Sequence, residues 1–176
     1  ALISLIIVWK MGVPIFFRQQ RIGLNQHPFV LIKFRSMEMT KTEKESYSNT
    51  EFRTTSLGRF LRKTSLDELP ELWNVIKGEM SLVGPRPLPL HYQDRFSPKQ
   101  NDRHKVPPGL TGLAQINGRK SISWGEKLLF DQIYVRKRSV CLDILILVKT
   151  VLALLDRKTA DVPGEKEMPD FNKLGH

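Results

Sequence analysis

The stretch Ser65-Leu-Asp-Glu-Leu-Pro-Glu-Leu-Trp-Asn-Val-Ile-Lys-Gly-Glu-Met-Ser-Leu-Val-Gly-Pro-Arg-Pro87 guides the interpretation of the whole chain. Its apolar residues recur at helical spacing, and Gly78 stands where a left-handed residue ordinarily closes a helix. Ser65 and Glu68 match a capping box, while Pro70 belongs in the first turn or at a kink. These features predict a short amphipathic helix whose apolar residues are Leu66, Leu69, Leu72, Trp73 and Ile76.

Asp67 and Glu68 are adjacent carboxylates at the start of this predicted helix. A helix N-terminus carries partial positive charge, which favours carboxylates and phosphates alike. Neighbouring residues on a helix diverge by about 100°, so the two side chains can flank one reacting centre, one attacking and the other holding a metal. The alternative is that Ser65 and Glu68 only cap the helix and Asp67 only satisfies its dipole.

The composition indicates one domain with an anionic partner. A chain of 176 residues can bury a core, and its 28 Lys and Arg outnumber 18 Asp and Glu, for a formal charge of +10. Nucleic acid, anionic lipid and a phosphorylated substrate all suit that charge. Cys141 is the single cysteine, which excludes a disulfide framework and a cysteine-based zinc site. We expect its side chain to be a buried small apolar group.

The chain begins with an apolar segment, residues 1–9, interrupted only by Ser4 and followed by Lys10. Nine residues of helix rise roughly 14 Å, about half of a hydrocarbon core. The segment predicts either an interfacial membrane anchor, with Trp9 and Lys10 at its end, or an ordinary core strand or helix. Because it starts abruptly without Met, we also expect upstream residues to be missing.

Residues 13–37 predict a β-hairpin, with strands around 15–17 and 29–32 and a turn at 23–25. Alternation along the strand would place Lys33 and Arg35 on one face. There they would either bind phosphate oxygens or form a solvent-exposed strand edge. The charged residues 38–55 predict a surface loop or frayed helix that closes over a site.

Two later segments are rich in glycine and proline. Gly84-Pro-Arg-Pro87 restricts the backbone and therefore the presentation of Arg86, which favours a ligand. Residues 107–119 predict a tight loop or hairpin with close backbone approach. Within them Gln115, Asn117 and Arg119 offer hydrogen bonds that read a base or a sugar. We interpret His91 and His104, which lie between the two segments, as surface histidines.

The C-terminal part predicts two helices. Residues 123–137 form an amphipathic pattern with a basic end. Residues 140–155 are strongly apolar, yet Asp143, Thr150 and Arg157 recur at seven-residue spacing as a narrow polar stripe. A spanning helix rarely carries such a stripe, so we expect this helix to lie in the membrane interface or under the domain. Residues 158–176 predict a loosely ordered tail.

Three ordered runs together resemble the bacterial monotopic phosphoglycosyl transferases: Lys33-Phe-Arg-Ser-Met37, the stretch from Ser65 to Pro87, and Pro108-Gly-Leu-Thr-Gly-Leu-Ala-Gln-Ile-Asn-Gly-Arg119. The resemblance covers about residues 1 to 155. It implies transfer of a sugar phosphate from a UDP-sugar to undecaprenyl phosphate, with release of UMP, at the cytoplasmic face of the bacterial inner membrane. Mg²⁺ is the implied cofactor. Membrane lipids are implied partners, a homo-oligomer is possible, and nucleic acid is not expected as a partner.

The resemblance also implies roles for individual residues. Asp67 would be the nucleophile of a ping-pong reaction with a covalent phosphosugar intermediate, and Glu68 together with Asp67 would hold magnesium. Lys33, Arg62 and Arg86 would bind substrate, and we add Arg35, Gln115, Asn117 and Arg119 to the predicted substrate-binding residues. A basic nucleic-acid-binding module and an inert peripheral membrane adaptor are the alternatives, although no recognised nucleic-acid motif is present.

The patterns and the resemblance predict an α+β, mostly helical single domain with a small β-hairpin, half of a re-entrant N-terminal membrane helix and interfacial amphipathic helices. Residues 1–12 would be the returning half of the re-entrant helix, residues 13–157 the catalytic domain and residues 158–176 the tail. In the family this helix bends at a Ser-Pro pair. No such pair precedes Ala1, so we expect only the returning half in this chain.

Overall fold

The computed structural model describes residues 1–38, 54–118 and 122–155. The helices in these ranges are α1 (Leu2–Met11), α2 (Ser56–Lys63), α3 (Glu71–Ile76), α4 (Pro98–Asn101), α5 (Leu113–Ile116), α6 (Trp124–Lys137) and α7 (Val140–Leu155). The strands are β1 (Phe16–Ile22), β2 (Pro28–Phe34), β3 (Ser81–Val83) and β4 (Gly109–Thr111). Short 3₁₀ turns cover Leu24–Gln26, Leu66–Glu68, Leu90–Arg95 and Asp102–Lys105. This mixture confirms the predicted α+β, mostly helical domain.

Several predictions lie outside the described residues. They concern most of the 38–55 loop, the tail from residue 158, and the side chains of Arg119 and Arg157. The predicted helices at 123–137 and 140–155 are confirmed as α6 and α7. Helix α6 begins with a capping box, because Ser123 Oγ accepts from the Glu126 amide and Glu126 Oε2 accepts from the Ser123 amide.

The predicted hairpin is confirmed by the antiparallel pair β1 and β2, whose register runs from Phe16 opposite Phe34 to Ile22 opposite Pro28. Helix α3 is attached to this hairpin through the fully buried Asn74. Its Nδ2 donates to the Val30 carbonyl at 2.8 Å, and its Oδ1 accepts from the Ile32 amide at 3.2 Å. The hairpin therefore determines where α3 and the residues just before it lie.

Strands β3 and β4 pair in parallel, with Ser81 opposite Gly109 and Val83 opposite Thr111. The hairpin considered for residues 107–119 is therefore wrong, because the strand partner comes from a distant part of the chain. The predicted close backbone approach is confirmed. A Cβ on Gly109 would lie 2.0 Å from the Gly84 nitrogen, and one on Gly84 would lie 2.4 Å from the Pro107 carbonyl oxygen. Side chains at these positions would separate the two segments.

Apolar side chains cover the outer faces of three helices. On α3 the side chains of Trp73 and Ile76 are 54% and 75% exposed, whereas Glu71 and Asn74 are buried. The same outward orientation is found for Leu2, Leu5 and Trp9 on α1 and for Val140, Ile144, Leu145, Val148, Val151, Leu152, Leu154 and Leu155 on α7. We call these side chains of α1, α3 and α7 the apolar surface. Large apolar side chains exposed in such number are typical of an interaction site.

The polar stripe of α7 faces the domain. Asp143 Oδ1 accepts from the Tyr134 hydroxyl at 2.8 Å, and the hydroxyls of Thr150 and Thr111 lie 2.7 Å apart. This confirms the predicted stripe at its two described members and explains why the apolar residues of α7 point outward. Among the described residues no helix is both long and apolar enough to cross a bilayer.

Two predictions for single side chains are wrong. Cys141 is exposed, because it lies in the first turn of α7 and outside the face that packs on the domain. His104 is buried, with its ring edge-on to Phe96 at a centroid distance of 5.2 Å. The 3₁₀ turn that contains it directs Lys105 to solvent and His104 inward. His91 is exposed as predicted.

Candidate active site

The stretch that contains the two adjacent carboxylates forms a 3₁₀ turn and a helix rather than one continuous helix. The turn covers Leu66–Glu68, and α3 begins after Pro70, which has no amide hydrogen to continue the ladder. Ser65 has a φ of +55° and its side chain makes no capping bond. The capping box is therefore wrong, because an N-cap residue needs extended backbone. Gly78, at φ +76°, confirms the predicted left-handed stop.

Three cations and three carboxylates meet where β2 passes this turn. Lys33 Nζ donates to Glu68 Oε1 at 2.8 Å, and Arg86 donates to the same oxygen at 3.1 Å. Lys33 Nζ also lies 2.8 Å from Glu71 Oε1. That second contact is an ion pair without hydrogen-bond geometry, so Glu71 Oε1 has no hydrogen-bond donor among the described residues. We call Lys33, Arg62, Arg86, Asp67, Glu68 and Glu71 the charge cluster.

Asp67 is buried, with 8% of its surface exposed. Burial raises the pKa of its carboxyl group and the neighbouring Glu68 anion adds to the rise, whereas the positive charges of Lys33, Arg62 and Arg86 oppose it. A carboxylate with a raised pKa holds a proton more tightly and is a more basic nucleophile once it is ionised.

Glu68 responds in the opposite direction. Burial alone would raise its pKa, but the charges and hydrogen bonds of Arg86 and Lys33 outweigh burial and hold the pKa at about 2. Burial also raises the pKa of Glu71, and Lys33 compensates only in part. Adjacent carboxyl groups whose pKa values are pushed apart are typical of sites that divide two roles between them. The pKa of Glu68 lies below that of Asp67, so Asp67 takes up a proton first as the pH falls.

Arg86 projects from a backbone segment that is hydrogen-bonded at every carbonyl from Pro85 to Pro87. The Pro85 carbonyl accepts from the Gly109 amide at 2.9 Å. The Arg86 carbonyl accepts from Arg103 at 2.7 Å, and the Pro87 carbonyl accepts from Arg21 at 3.1 Å. The prolines restrict φ, and these three bonds restrict position, so the guanidinium of Arg86 starts from a rigid base.

The structure places the other predicted substrate-binding residues in different surroundings. Arg62, at the end of α2, donates from Nε to Ser36 Oγ at 3.0 Å and is near enough to Asp67 to affect its pKa. Arg35 donates to the carbonyls of Met11, Gly12 and Val13 and so joins α1 to β2. The Nδ2 of the exposed Asn117 donates to the Leu113 carbonyl at 2.8 Å. Arg119 lies outside the described residues.

Sequence reasoning missed three buried charged residues around the site: Glu71, Arg103 and Asp131. Glu71 had a local signal, since it follows Asp67 by four residues and Glu68 by three, which is the spacing of one helix face. Arg103 and Asp131 had none, because they are 28 residues apart and meet only in the folded chain. Arg103 donates from Nε and from its terminal nitrogen to Asp131 Oδ2, at 3.0 and 2.8 Å.

The carboxylates at the site can bind magnesium only if substrate phosphates supply further ligands. No group of three or more His, Cys, Asp or Glu side chains that could hold a metal ion occurs in the described ranges. Magnesium ordinarily takes one or two carboxylates and completes its shell with water and substrate phosphates. Asp67 and Glu68, which are consecutive in the 3₁₀ turn, supply the two carboxylates of that smaller requirement.

A sequence model of the family described as bacterial sugar transferase matches residues 1–157. The chain therefore belongs to this family, which confirms the predicted class of enzyme. It is 50% identical over 146 residues to a Bacillus subtilis protein named as an uncharacterized sugar transferase, EpsL. That match covers 83% of this chain and 72% of the relative.

Two further relatives have names that state a reaction. The chain is 39% identical over 170 residues to the undecaprenyl-phosphate galactose phosphotransferase of Salmonella typhimurium, covering 87% of this chain and 36% of the relative. It is 40% identical over 157 residues to the UDP-glucose:undecaprenyl-phosphate glucose-1-phosphate transferase of Escherichia coli, covering 84% and 34%. The chain thus spans about a third of the length of these two proteins.

Proposed function

We propose that this chain transfers a sugar phosphate from a UDP-sugar to undecaprenyl phosphate and releases UMP. The observation that carries the proposal is Asp67, a buried carboxyl group with a raised pKa next to an anion that Lys33 and Arg86 hold in place. The names of the relatives supply the donor and acceptor classes.

In the first step of the proposed reaction a carboxylate oxygen of Asp67 attacks the phosphorus that bears the sugar. The bond from that phosphorus to the UMP oxygen breaks, and UMP leaves with the electron pair. The product on the enzyme is an acyl phosphate that joins the sugar phosphate to Asp67.

The diphosphate would bind to the charge cluster by replacing Glu68 as the partner of Lys33 and Arg86. With all six side chains ionised its three cations balance its three carboxylates, so the phosphate oxygens must compete with Glu68 for Lys33 and Arg86. Charge-assisted hydrogen bonds from Lys and Arg are among the strongest that a phosphate can accept. Contacts that strengthen as negative charge moves to the leaving UMP would lower the barrier.

In the second step a phosphate oxygen of undecaprenyl phosphate attacks the same phosphorus. The acyl phosphate bond breaks, the Asp67 carboxylate is regenerated, and the product is an undecaprenyl diphosphate sugar. The two displacements proceed in ping-pong order, because UMP leaves before the lipid reacts.

Magnesium is part of this proposal. Asp67 and Glu68 would hold it together with the substrate phosphates, and when bound it would neutralise negative charge on the diphosphate. The residues of the chain would then orient the sugar-bearing phosphorus toward Asp67.

An isotope exchange experiment tests the two-step reaction. The purified chain is incubated with magnesium, labelled UMP and a panel of unlabelled UDP-sugars, without undecaprenyl phosphate. The proposal expects the label to enter one UDP-sugar, because the first step is reversible on its own. Release of UMP only when the lipid is present, with no exchange, would instead indicate direct transfer between the two substrates.

The Glu68→Gln variant should shift the acid limb of the pH–rate profile to lower pH. Activity falls as pH decreases through the raised pKa of Asp67, and the Glu68 anion is one of the groups that raises it. Removing that anion also frees Lys33 and Arg86 to lower the Asp67 pKa further. The maximal rate should fall and the magnesium requirement should rise.

The measurement is UMP release from pH 4 to 8 at several magnesium concentrations. Glu126→Gln is the matched control, because Glu126 is an exposed capping residue on α6 and glutamine preserves a capping box. An acid limb that stays at the wild-type pH in Glu68→Gln would contradict the electrostatic coupling of the two carboxyl groups.

We also propose that the apolar surface lies in the cytoplasmic leaflet of the bacterial inner membrane, with α1 as the returning half of a re-entrant helix. Trp9 is 82% exposed and Lys10 lies 5.7 Å from its ring centre, an arrangement common at the membrane interface. Helix α3 contributes to the same surface and follows the turn that bears Asp67. This would bring the phosphate of a membrane-embedded polyprenol close to the carboxylate.

The three tryptophans of the chain allow a direct test of the membrane contact. In variants that retain one tryptophan each, brominated phospholipids should quench the fluorescence of Trp9 and Trp73, whose side chains are exposed on the apolar surface. Trp124 is the internal control, because it packs against the core formed with Leu128. Equal quenching of all three, or none at Trp9 and Trp73, would contradict the proposed orientation.

A further inference from the structure

A cleft adjoins the charge cluster on the side of Arg86. The cleft is shallow and open: its cavity volume is about 40 Å³, and the space beyond that is continuous with solvent. Leu88, Trp124 and Leu128 provide apolar walls, and Arg86, Gln115 and Lys127 provide polar groups. Since Arg86 also contacts Glu68 at 3.1 Å, a molecule with a phosphate at the charge cluster can extend directly into this cleft.

Gln115 is the unusual member of the cleft lining. Its Oε1 and Nε2 atoms are both buried, and neither has a hydrogen-bond partner in the described part of the chain. Leaving a buried amide unpaired is unfavourable. Glutamine has three rotatable side-chain bonds, so rotation toward the cleft would allow an entering ligand to satisfy the amide. After such a rotation, a ligand with one donor and one acceptor side by side would satisfy both amide atoms.

The charged groups of the cleft already contact other side chains. Asp131 accepts two hydrogen bonds from Arg103, and Lys127 Nζ lies 4.3 Å above the ring of Trp124. A hexose would bring several hydroxyl groups, each of which needs a partner when it is buried. A flat heterocycle with one polar edge needs fewer partners and gains from the apolar walls.

We infer that this cleft binds the uracil ring of the nucleotide, with the Gln115 amide hydrogen-bonded to the imide edge. Oε1 would accept from uracil N3–H and Nε2 would donate to O4, while Leu88, Leu128 and Trp124 would contact one side of the ring. The inference rests on the proposed function, because it concerns the nucleotide part of the UDP-sugar. It makes Gln115 a specificity-determining residue for the base.

The test compares three ligands that share a ribose phosphate: UMP, N3-methyl-UMP and ribose 5-phosphate. Their dissociation constants are measured by calorimetry on the purified chain and on Gln115→Met, which removes the amide at nearly constant volume. The wild-type chain should bind UMP about tenfold or more tightly than N3-methyl-UMP, because the methyl group removes the N3–H donor and clashes with Oε1. Gln115→Met should bind those two nucleotides within about twofold of each other and bind ribose 5-phosphate like the wild-type chain.

Gln20→Met is the matched control, because Gln20 is exposed on β1, and it should keep the preference for UMP. Retention of that preference by Gln115→Met would overturn the inference. An unchanged affinity of Gln115→Met for UMP, combined with a reduced kcat/KM for the UDP-sugar, would also overturn the inference. That result would place the sugar, and not the base, in the cleft. Both results leave UMP exchange by the wild-type chain intact, whereas loss of exchange in the wild-type chain would refute the proposed function itself.

Discussion

Replacing Asp67 by Asn should lower UMP release and UMP exchange by roughly 10³-fold or more, the scale of losing a covalent nucleophile. An amide keeps the shape of the side chain but has no negative charge with which to attack phosphorus. The wild-type chain, incubated with its UDP-sugar and magnesium, should gain the mass of one sugar phosphate, and the variant should not. Intact-mass spectrometry and the exchange assay measure the two effects.

Folding stability separates this chemical loss from structural damage. The folded-state pKa of Asp67 lies above its usual value of 3.8, so the folded state binds this proton more tightly than the unfolded state does. The stabilisation from proton binding is complete below the unfolded pKa and is lost as pH rises through the folded pKa. At neutral pH the buried charge is therefore unfavourable, and Asp67→Asn should unfold at the same or a higher temperature than the wild-type chain.

Asp94→Asn is the control for Asp67→Asn, because Asp94 is exposed in the turn Leu90–Arg95 and outside the charge cluster. It should leave exchange and adduct formation unchanged. Near-normal turnover in Asp67→Asn, or an adduct that maps to a different residue, would remove Asp67 from the role of nucleophile.

Replacing Arg103 by Met should destabilise the fold by about 3 to 5 kcal/mol, the usual effect of breaking a buried ion pair from one side. The side chains of Arg103 and Asp131 are 3% and 5% exposed, so the variant leaves a carboxylate buried without its partner. It also removes the hydrogen bond to the Arg86 carbonyl. Urea unfolding measures the stability, and UMP exchange under folding conditions measures the effect on Arg86.

A double variant distinguishes the two roles of Arg103. Arg103→Met combined with Asp131→Leu removes the unpaired charge and should recover most of the stability. It should not recover the exchange rate, because the Arg86 carbonyl still lacks its donor. Lys105→Ala is the control, since it breaks an exposed ion pair with Asp102 and should cause little change. Wild-type stability in Arg103→Met would show that the buried pair does not contribute to the fold.

Much of the local structure was predictable from the sequence because its causes are local. Two short apolar runs on either side of a turn predicted the hairpin of β1 and β2, and an amphipathic pattern with a basic end predicted α6. Gly78 was recognisable as a left-handed stop because other residues are strained in that conformation. The adjacent carboxylates Asp67 and Glu68 and the proline-flanked Arg86 indicated the candidate site through residue type and spacing.

The sequence by itself thus determined much of the secondary structure, the family and the first candidates for catalysis. The tertiary structure decided that Lys33 bridges Glu68 and Glu71, that Arg103 pairs with Asp131, and that β3 and β4 run parallel. It also decided that α3 buries Glu71 and Asn74 and exposes Trp73 and Ile76. Periodicity shows that a helix has two faces, but it does not show which face meets the protein. That choice depends on partners from distant parts of the chain, which are Lys33 for Glu71 and the backbone of β2 for Asn74, and only the folded structure brings them together.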